Sequence, residues 1–146
     1  MDDLNLPAFN YRVKEIEGKL HIFDILRKKF LFLTPEEWVR QHVVHFLIED
    51  YNYPKSLIRC EGGLDYNGLQ KRSDILVHDR KGKPFLLVEC KAAAVKMSQA
   101  VFEQVAIYNK TIEAPYIAIT NGLKTFVCAI DQNTSKYTYL QDFPKF

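Results

Sequence analysis

The fold of this chain is decided by residues 72–91, RSDILVHDRKGKPFLLVECK. Two runs, 71–79 and 84–92, are rich in Ile, Leu, Val and Phe, as β-strands are. The segment 80–83, Arg-Lys-Gly-Lys, is a turn signal between them. The stretch therefore predicts a β-hairpin.

This hairpin carries charged residues where apolar ones are expected. Side chains alternate along a strand, so one face of its second strand holds Phe85, Leu87, Glu89 and Lys91. If Lys81-Gly82 is the tight turn, Arg80 pairs with Lys83. The same register sets Asp74 opposite Glu89. Because like charges directly opposite each other are destabilising, something must offset the repulsion.

Two interpretations of this pair stay open on the residues alone. A hard divalent cation would offset the repulsion, because Mg²⁺ takes oxygen ligands and commonly uses one or two carboxylates plus substrate phosphate oxygens. Lys91 would then lie beside a bound water. Alternatively, Asp74 and Glu89 are solvated ends of an amphipathic hairpin, and Lys91 forms a salt bridge worth about 0–1 kcal/mol.

Composition limits the class of protein. The 146 residues are 47% apolar and 26% charged, which is ordinary for a single soluble globular domain. The net charge of +2 gives little general attraction for DNA. Any DNA contact would come from local clusters such as Lys71-Arg72, 80–83 and Lys96, although each is also typical of a solvated loop.

Cysteine usage and hydropathy indicate the compartment. Cys60, Cys90 and Cys128 are an odd number, lie far apart in apolar runs, and look like small buried hydrophobes in a reducing environment. No apolar run reaches about 18 residues, and the N-terminus is acidic, so we expect no membrane span and no signal peptide. We expect a cytoplasmic protein.

The rest of the chain predicts a leading hairpin and then the order α-β-β-β-α-β-β. The hairpin spans 11–16 and 19–23 around Glu17-Gly18, and an apolar stretch follows at 30–33. The predicted helices are 34–50 and 98–112. The further strands are 56–61, 115–120, 124–130 and 137–140, with a Gly-rich loop at 62–69.

The first helix has a strong start signal, with Thr34 as N-cap, Pro35 at the first position and Glu37 completing a capping box. Glu36 would then share the inward stripe of Val39 and Val43, where Arg40, one turn on, could pair with it. The alternative is a first-turn acidic residue favoured by the helix dipole. For His42 and His45, three apart on this helix, a solvated or rim position is expected in preference to a metal site, because no third ligand has suitable spacing.

On the second helix, a stripe recurs at helical spacing: Val101, Gln104, Val105, Tyr108 and Ile112. Gln104 interrupts this apolar stripe and needs partners for its amide. Gln104 and Tyr108 put two polar tips on one face, one turn apart, where they could orient a lysine, a water or a phosphate. Alternatively, Gln104 lies at the edge of the stripe and Tyr108 is simply core.

Taken together, Glu36, Asp74, Glu89-Cys90-Lys91 and Gln104-x-x-x-Tyr108 resemble the PD-(D/E)XK nuclease pattern with a following Gln-x-x-x-Tyr element. The segments TPEEWVRQ, YPKS, KRSDILV, LLVECKA, EQVAIYN and APYIAITNG look like the N-terminal nuclease domain of type I restriction enzyme R subunits, in its short stand-alone bacterial form. The similarity spans 34–130. It departs from the motif's name, since Ser73 stands where a proline would.

The resemblance implies an α/β (α+β) fold of the restriction-endonuclease type, with a mixed central sheet flanked by helices. Residues 1–146 would form one domain, with 1–33 as an N-terminal hairpin extension and 34–146 as the nuclease core. The helicase region, and the methylation and specificity subunits of the larger enzymes, are absent from these 146 residues.

The implied function is Mg²⁺-dependent DNA endonuclease activity, with Mn²⁺ as a substitute. The alternative is a catalytically silent module that binds DNA or a partner. By resemblance, Asp74, Glu89 and the Cys90 carbonyl would hold the metal, and Lys91 would position the attacking water. Glu36 would orient the metal site, Gln104 and Tyr108 would steady Lys91 or the DNA backbone, and Lys71, Arg72 and Lys96 would contact DNA. Restriction-modification subunits and a second copy of the chain are expected partners.

Overall fold

The computed structural model describes the backbone of residues 1–61, 65–66, 69–70 and 73–146, and the side chains of 1–60 and 75–146. The predicted DNA contacts Lys71 and Arg72 lie outside the described residues. In chain order the elements are β1 (Val13–Ile16), β2 (Lys19–Asp24), β3 (Lys29–Phe32), α1 (Pro35–Glu49), β4 (Ile58–Glu61), β5 (Asp65–Tyr66), β6 (Leu69–Gln70), β7 (Ser73–His78), β8 (Pro84–Cys90), α2 (Gln99–Ile112), β9 (Tyr116–Thr120), β10 (Thr125–Ile130) and β11 (Tyr137–Leu140).

The centre of the fold is a six-stranded sheet in the order β11-β10-β9-β8-β7-β4. Its pairs are antiparallel except β8 and β9, which are parallel and are joined through α2. Strands β1, β2 and β3 form a separate antiparallel sheet, and β5 pairs with β6. The predicted mixed α+β fold, with a central sheet flanked by helices, is confirmed. None of the described helices is long and apolar enough to cross a membrane.

The two helices cover opposite faces of the large sheet. Buried Val39, Val43, Val44 and Leu47 of α1 form one apolar cluster with Ile75, Val77, Leu86, Val88 and Cys90. Phe102 and Val105 of α2 form a second cluster with Leu76, Leu87, Ile117, Ile119 and Cys128. Each large side chain buried this way contributes roughly 1.5–3 kcal/mol. The near-continuous apolar runs of β7 to β9 follow from burial on both faces.

The β7–β8 hairpin reaches the predicted register by a different turn. The Asp79 amide donates to the Lys83 carbonyl at 2.7 Å, so the loop is 80–82, and the predicted Lys81-Gly82 turn is wrong. A bulge follows, because Pro84 pairs with His78 whereas residue 86 pairs with 77. Phe85 is the extra residue.

The bulge has two consequences for the hairpin. The additional residue restores the register beyond it, and the predicted pairing of Asp74 with Glu89 is confirmed. It also turns Phe85 out of the face that holds Leu87. Phe85 packs with the α1-side cluster, against Tyr53 and Tyr116, so its predicted face is wrong.

The N-terminal residues pack against the core. The predicted hairpin forms around Glu17 and Gly18, whose φ values of 51° and 78° suit a tight turn, and the apolar stretch at 30–33 supplies a third strand. The tail before it reaches the β9–β10 turn. There the Asn5 backbone amide donates to the Gly122 carbonyl at 2.8 Å. The tail also contacts α1, where Trp38 Nε1 donates to the Asp2 carbonyl.

Candidate functional site

The acidic pair lies in one row across the large sheet. Asp74 pairs with Glu89, Glu89 pairs with Ile119, and Ile119 pairs with Phe126. Paired residues share a face, and this row faces α2, since Glu89 has the parity of Leu87. The Glu89 side chain is only 2% exposed. Burying a carboxylate costs free energy unless it is paired, so its surroundings are the first question.

Lys91 is one partner of Glu89, with its Nζ 3.3 Å from Glu89 Oε1. The lysine lies just beyond the end of β8. Its amide donates to the Thr120 carbonyl at 2.8 Å, which continues the parallel ladder by one residue. The predicted common direction of Glu89 and Lys91 is therefore confirmed. The ammonium is partly open to solvent, with 24% of the side chain exposed.

The side chain of Asn121 bonds the backbone of two segments near Lys91. Its Nδ2 donates to the Val95 carbonyl at 2.9 Å, in the loop that leads from Lys91 to α2. Its Oδ1 accepts from the amides of Leu123 and Lys124, which closes the β9–β10 turn. The Asn-Gly pair predicts the turn, but the bond to Val95 joins residues distant in sequence and leaves no local signal.

An apolar groove begins beside the acidic row. It is a cavity of about 150 Å³ lined by Met97, Ser98, Gln99, Phe102, Ile119, Phe126 and Tyr139. Ile119 is the residue paired with Glu89, so the groove opens next to the buried carboxylate. The Ser98 hydroxyl accepts from the Val101 amide and begins α2 at its rim.

At the start of α1, the structure buries Glu37 and not Glu36. The Thr34 hydroxyl accepts from the Glu37 amide at 3.0 Å, so the N-cap is confirmed. However, Glu37 is the buried one, at 5% exposure. Its carboxylate accepts from Arg40 and, at 2.8 Å, from Gln41 Nε2. The prediction that Glu36 shares the inward stripe and pairs with Arg40 is wrong, and Glu36 is half-buried.

The reason lies in what covers α1. The helix is buried on several sides because the small sheet and the N-terminal tail pack against it, so one stripe does not define its inward face. Arg27, which follows β2, lies 3.8 Å from the Glu37 carboxylate and also pairs with buried Asp24. Burial is the largest single influence on the pKa of Arg40 and lowers it, but the charge and hydrogen bond of Glu37, together with Cys60 and Cys90, raise the pKa above its ordinary value. Among the described side chains, two arginines and two carboxylates meet in this cluster.

On α2, the buried residues are Phe102, Val105 and Asn109. The prediction that Gln104 interrupts a buried stripe is wrong, because its side chain is exposed. The buried stripe runs instead through Phe102, Val105 and Asn109. The side-chain amide of Asn109 donates to the Ala114 carbonyl and accepts from the Ala114 amide, and these bonds close the end of the helix. Tyr108 is half-buried against the α2-side cluster, and the role predicted for the Gln-Tyr pair stays a prediction.

The other candidates are placed as follows. Lys96 is exposed in the loop before α2. His42 and His45 are buried, 7% exposed each, against Phe9, so the solvated alternative of their predicted solvated or rim position is wrong. Across the described side chains, no group of three or more His, Cys, Asp or Glu could hold a metal. Asp74 is not among those side chains, so its predicted ligand set stays a prediction.

Comparison with known proteins places the chain among components of type I restriction enzymes. The family model "Type I restriction enzyme R protein N terminus (HSDR_N)" matches residues 35–144. The chain belongs to this family. No curated protein matches it.

Among solved structures, a fragment from Vibrio vulnificus YJ016, described as an HsdR subunit of a type I restriction enzyme, has a similar fold. The TM-score is 0.50 at 21% sequence identity. The match covers 77% of this chain and 24% of that one, so this chain spans about a quarter of its relative.

Proposed function

We propose that the chain is a Mg²⁺-dependent DNA endonuclease that hydrolyses phosphodiester bonds, of the type found at the N-terminus of type I restriction R subunits. One observation carries this proposal. Two acidic positions, Asp74 and Glu89, are paired on adjacent strands, and the buried Glu89 carboxylate contacts the Lys91 ammonium. Family membership supports the same reading.

The residues present fit a hard cation. Asp74, Glu89 and the Cys90 carbonyl would hold it, and all three supply the oxygen ligands that Mg²⁺ prefers; Mn²⁺ would substitute. A carboxylate that is 98% buried opposite a second acidic position favours added positive charge. When bound, Mg²⁺ supplies Lewis acidity at a phosphoryl oxygen and lowers the pKa of a water.

The chain's own residues would do the rest. Lys91 would donate a hydrogen bond to the attacking water or a phosphate oxygen, and would stabilise the charge that develops on the phosphate. Asn121 would hold the loop and turn that position Lys91. Gln104, being exposed, suits a contact to the DNA backbone better than one to Lys91. Lys96 would add attraction for phosphate.

The experiment is plasmid cleavage. Purified chain should nick or cut supercoiled DNA in Mg²⁺ and not in EDTA, and Asp74→Ala and Lys91→Ala should abolish cleavage. Asp142→Ala and Lys136→Ala remove an exposed carboxylate and an exposed ammonium elsewhere, and should cleave normally. Cleavage that survives both site changes would contradict the assignment. A salt-sensitive DNA complex with no product in any divalent metal would instead favour the silent binding module.

R-subunit relatives suggest further partners. We propose that the chain works with other restriction-modification subunits, because the family is named for one component of a larger enzyme. Co-purification with such subunits from the source cell would support this assembly. A cleavage rate of the isolated chain that does not rise when the subunits are added would argue against a requirement for them.

A further inference from the structure

The small sheet packs one face against the protein through part of β2, and its other face is turned away from the protein. Ile22 and Asp24 of β2 are fully buried, so their parity points inward. Residues of the opposite parity lie on the outer face. The register brings together Arg12, Lys14, Ile16, Lys19, His21, Phe23, Phe30 and Phe32 there. Phe32 is 49% exposed.

Cations and aromatic rings alternate on this outer face. The Arg12 guanidinium carbon lies 4.7 Å from the centre of the Phe23 ring, and Lys14 Nζ lies 4.1 Å from that of Phe30. Lys19 Nζ lies 5.5 Å from the centre of Phe32. Each ring therefore has a cation within the usual cation–π range of about 6 Å.

The charge on the face has one sign. Arg12, Lys14 and Lys19 supply three cations. The carboxylates of the three strands, Glu15 and Asp24, have the opposite parity, and Asp24 is bound to Arg27 beneath the sheet. Of the three rings, Phe32 is the most exposed, and Phe23 and Phe30 are half-buried. Three cations among the rings favour a polyanion that also offers flat apolar surfaces.

We propose that this outer face of β1–β3 binds single-stranded DNA. Unpaired bases would stack on Phe30 and Phe32, while Arg12, Lys14 and Lys19 contact phosphates. Duplex DNA hides its base faces, so it gains only the phosphate contacts. Three rings on a small sheet suit roughly two or three bases.

The choice of DNA rests on the proposed nuclease function, but the site does not. The face lies at residues 12–32, before the part of the chain that the family model matches, 35–144. It lies on a different sheet from Glu89 and Lys91. Binding to it can therefore be measured in the absence of cleavage.

The test is fluorescence anisotropy of a labelled 20-nucleotide oligo-dT, titrated with the full chain in EDTA, where no metal-dependent cleavage occurs. A duplex of the same length should bind at least tenfold more weakly. Phe32→Ala, at an exposed position, should weaken binding about tenfold by removing a stacking surface. Lys14→Glu should do the same and lower the salt slope by about one.

Two matched controls lie elsewhere. Ile107→Ala removes a side chain that is 64% exposed on α2, and Lys136→Glu reverses an exposed charge; each should change Kd less than twofold. Equal binding by all variants would overturn the proposal. So would tighter binding of oligo-U than oligo-dT, or a dimer in sedimentation that Phe32→Ala dissociates. If the chain binds oligo-dT but never cuts plasmid, the proposed nuclease function is refuted and the proposed binding face is not.

Discussion

On the α1 face of the large sheet, the Glu37 carboxylate is enclosed by Arg40 and Gln41, with Arg27 at 3.8 Å. On the α2 face, Glu89 is as deeply buried, yet it lies opposite a second acidic position and contacts the partly exposed Lys91. Among the described side chains, the two carboxylates differ in the groups placed against them, which are arginines at Glu37 and a partly exposed lysine at Glu89. Both are buried, so burial by itself does not indicate a function.

The largest expected effect comes from making the same substitution at both glutamates. Glu37→Gln should lower the free energy of unfolding by about 3 kcal/mol, because it removes a buried charge that lies against the buried Arg40 guanidinium. Glu89→Gln should change it by less than about 1 kcal/mol, because its partner Lys91 is partly exposed and stays solvated when the charge is lost. Urea unfolding monitored by circular dichroism measures both. Equal losses would remove the distinction between the faces.

A smaller effect is expected where the N-terminal tail meets the turn beside Lys91. Gly122 has φ +83°, and a Cβ there would lie 2.7 Å from Leu4 Cδ2. Gly122→Ala should lower the free energy of unfolding by about 1–2 kcal/mol, mainly because of its left-handed backbone. Thermal melts measure this, together with the double variant Leu4→Ala/Gly122→Ala. If the loss of stability in the double variant equals the sum of the losses in Leu4→Ala and Gly122→Ala, the contact with Leu4 contributes nothing.

The smallest effect is expected on the α1 face, from His42 and His45. Burial lowers the pKa of His42 and of His45 from the ordinary value of 6.5, although the Glu49 carboxylate partly opposes this at His45. The unfolded chain then binds more protons, so their contribution to stability is full above pH 6.5 and falls as the pH drops below it. Urea midpoints at pH 7.5 and 5.5 test this. In the double variant His42→Gln/His45→Gln the difference should shrink.

Much of the fold could be predicted from the sequence because strand alternation, the Thr34-Pro35 start and the Asn121-Gly122 turn are local signals. The pairing of Asp74 with Glu89 was also predicted, although through the wrong turn. The errors share a cause. Glu37 and Gln104 take positions set by neighbours distant in sequence, namely the small sheet around α1 and the packing of α2 on β9. The residue pattern of one helix does not indicate which distant segments pack against it.

The extra residue at Phe85 separates the two ends of the hairpin. Between it and the site the ladder runs in register, while the loop end is offset by one residue. A shift of one residue in that ladder would turn Glu89 to the opposite face. The loop 80–82 and the bulge at Phe85 both lie on the loop side of the pair between residues 77 and 86. The loop end of the hairpin can therefore change length without moving the acidic pair, so an alignment of relatives should confine its gaps in this hairpin to 80–85.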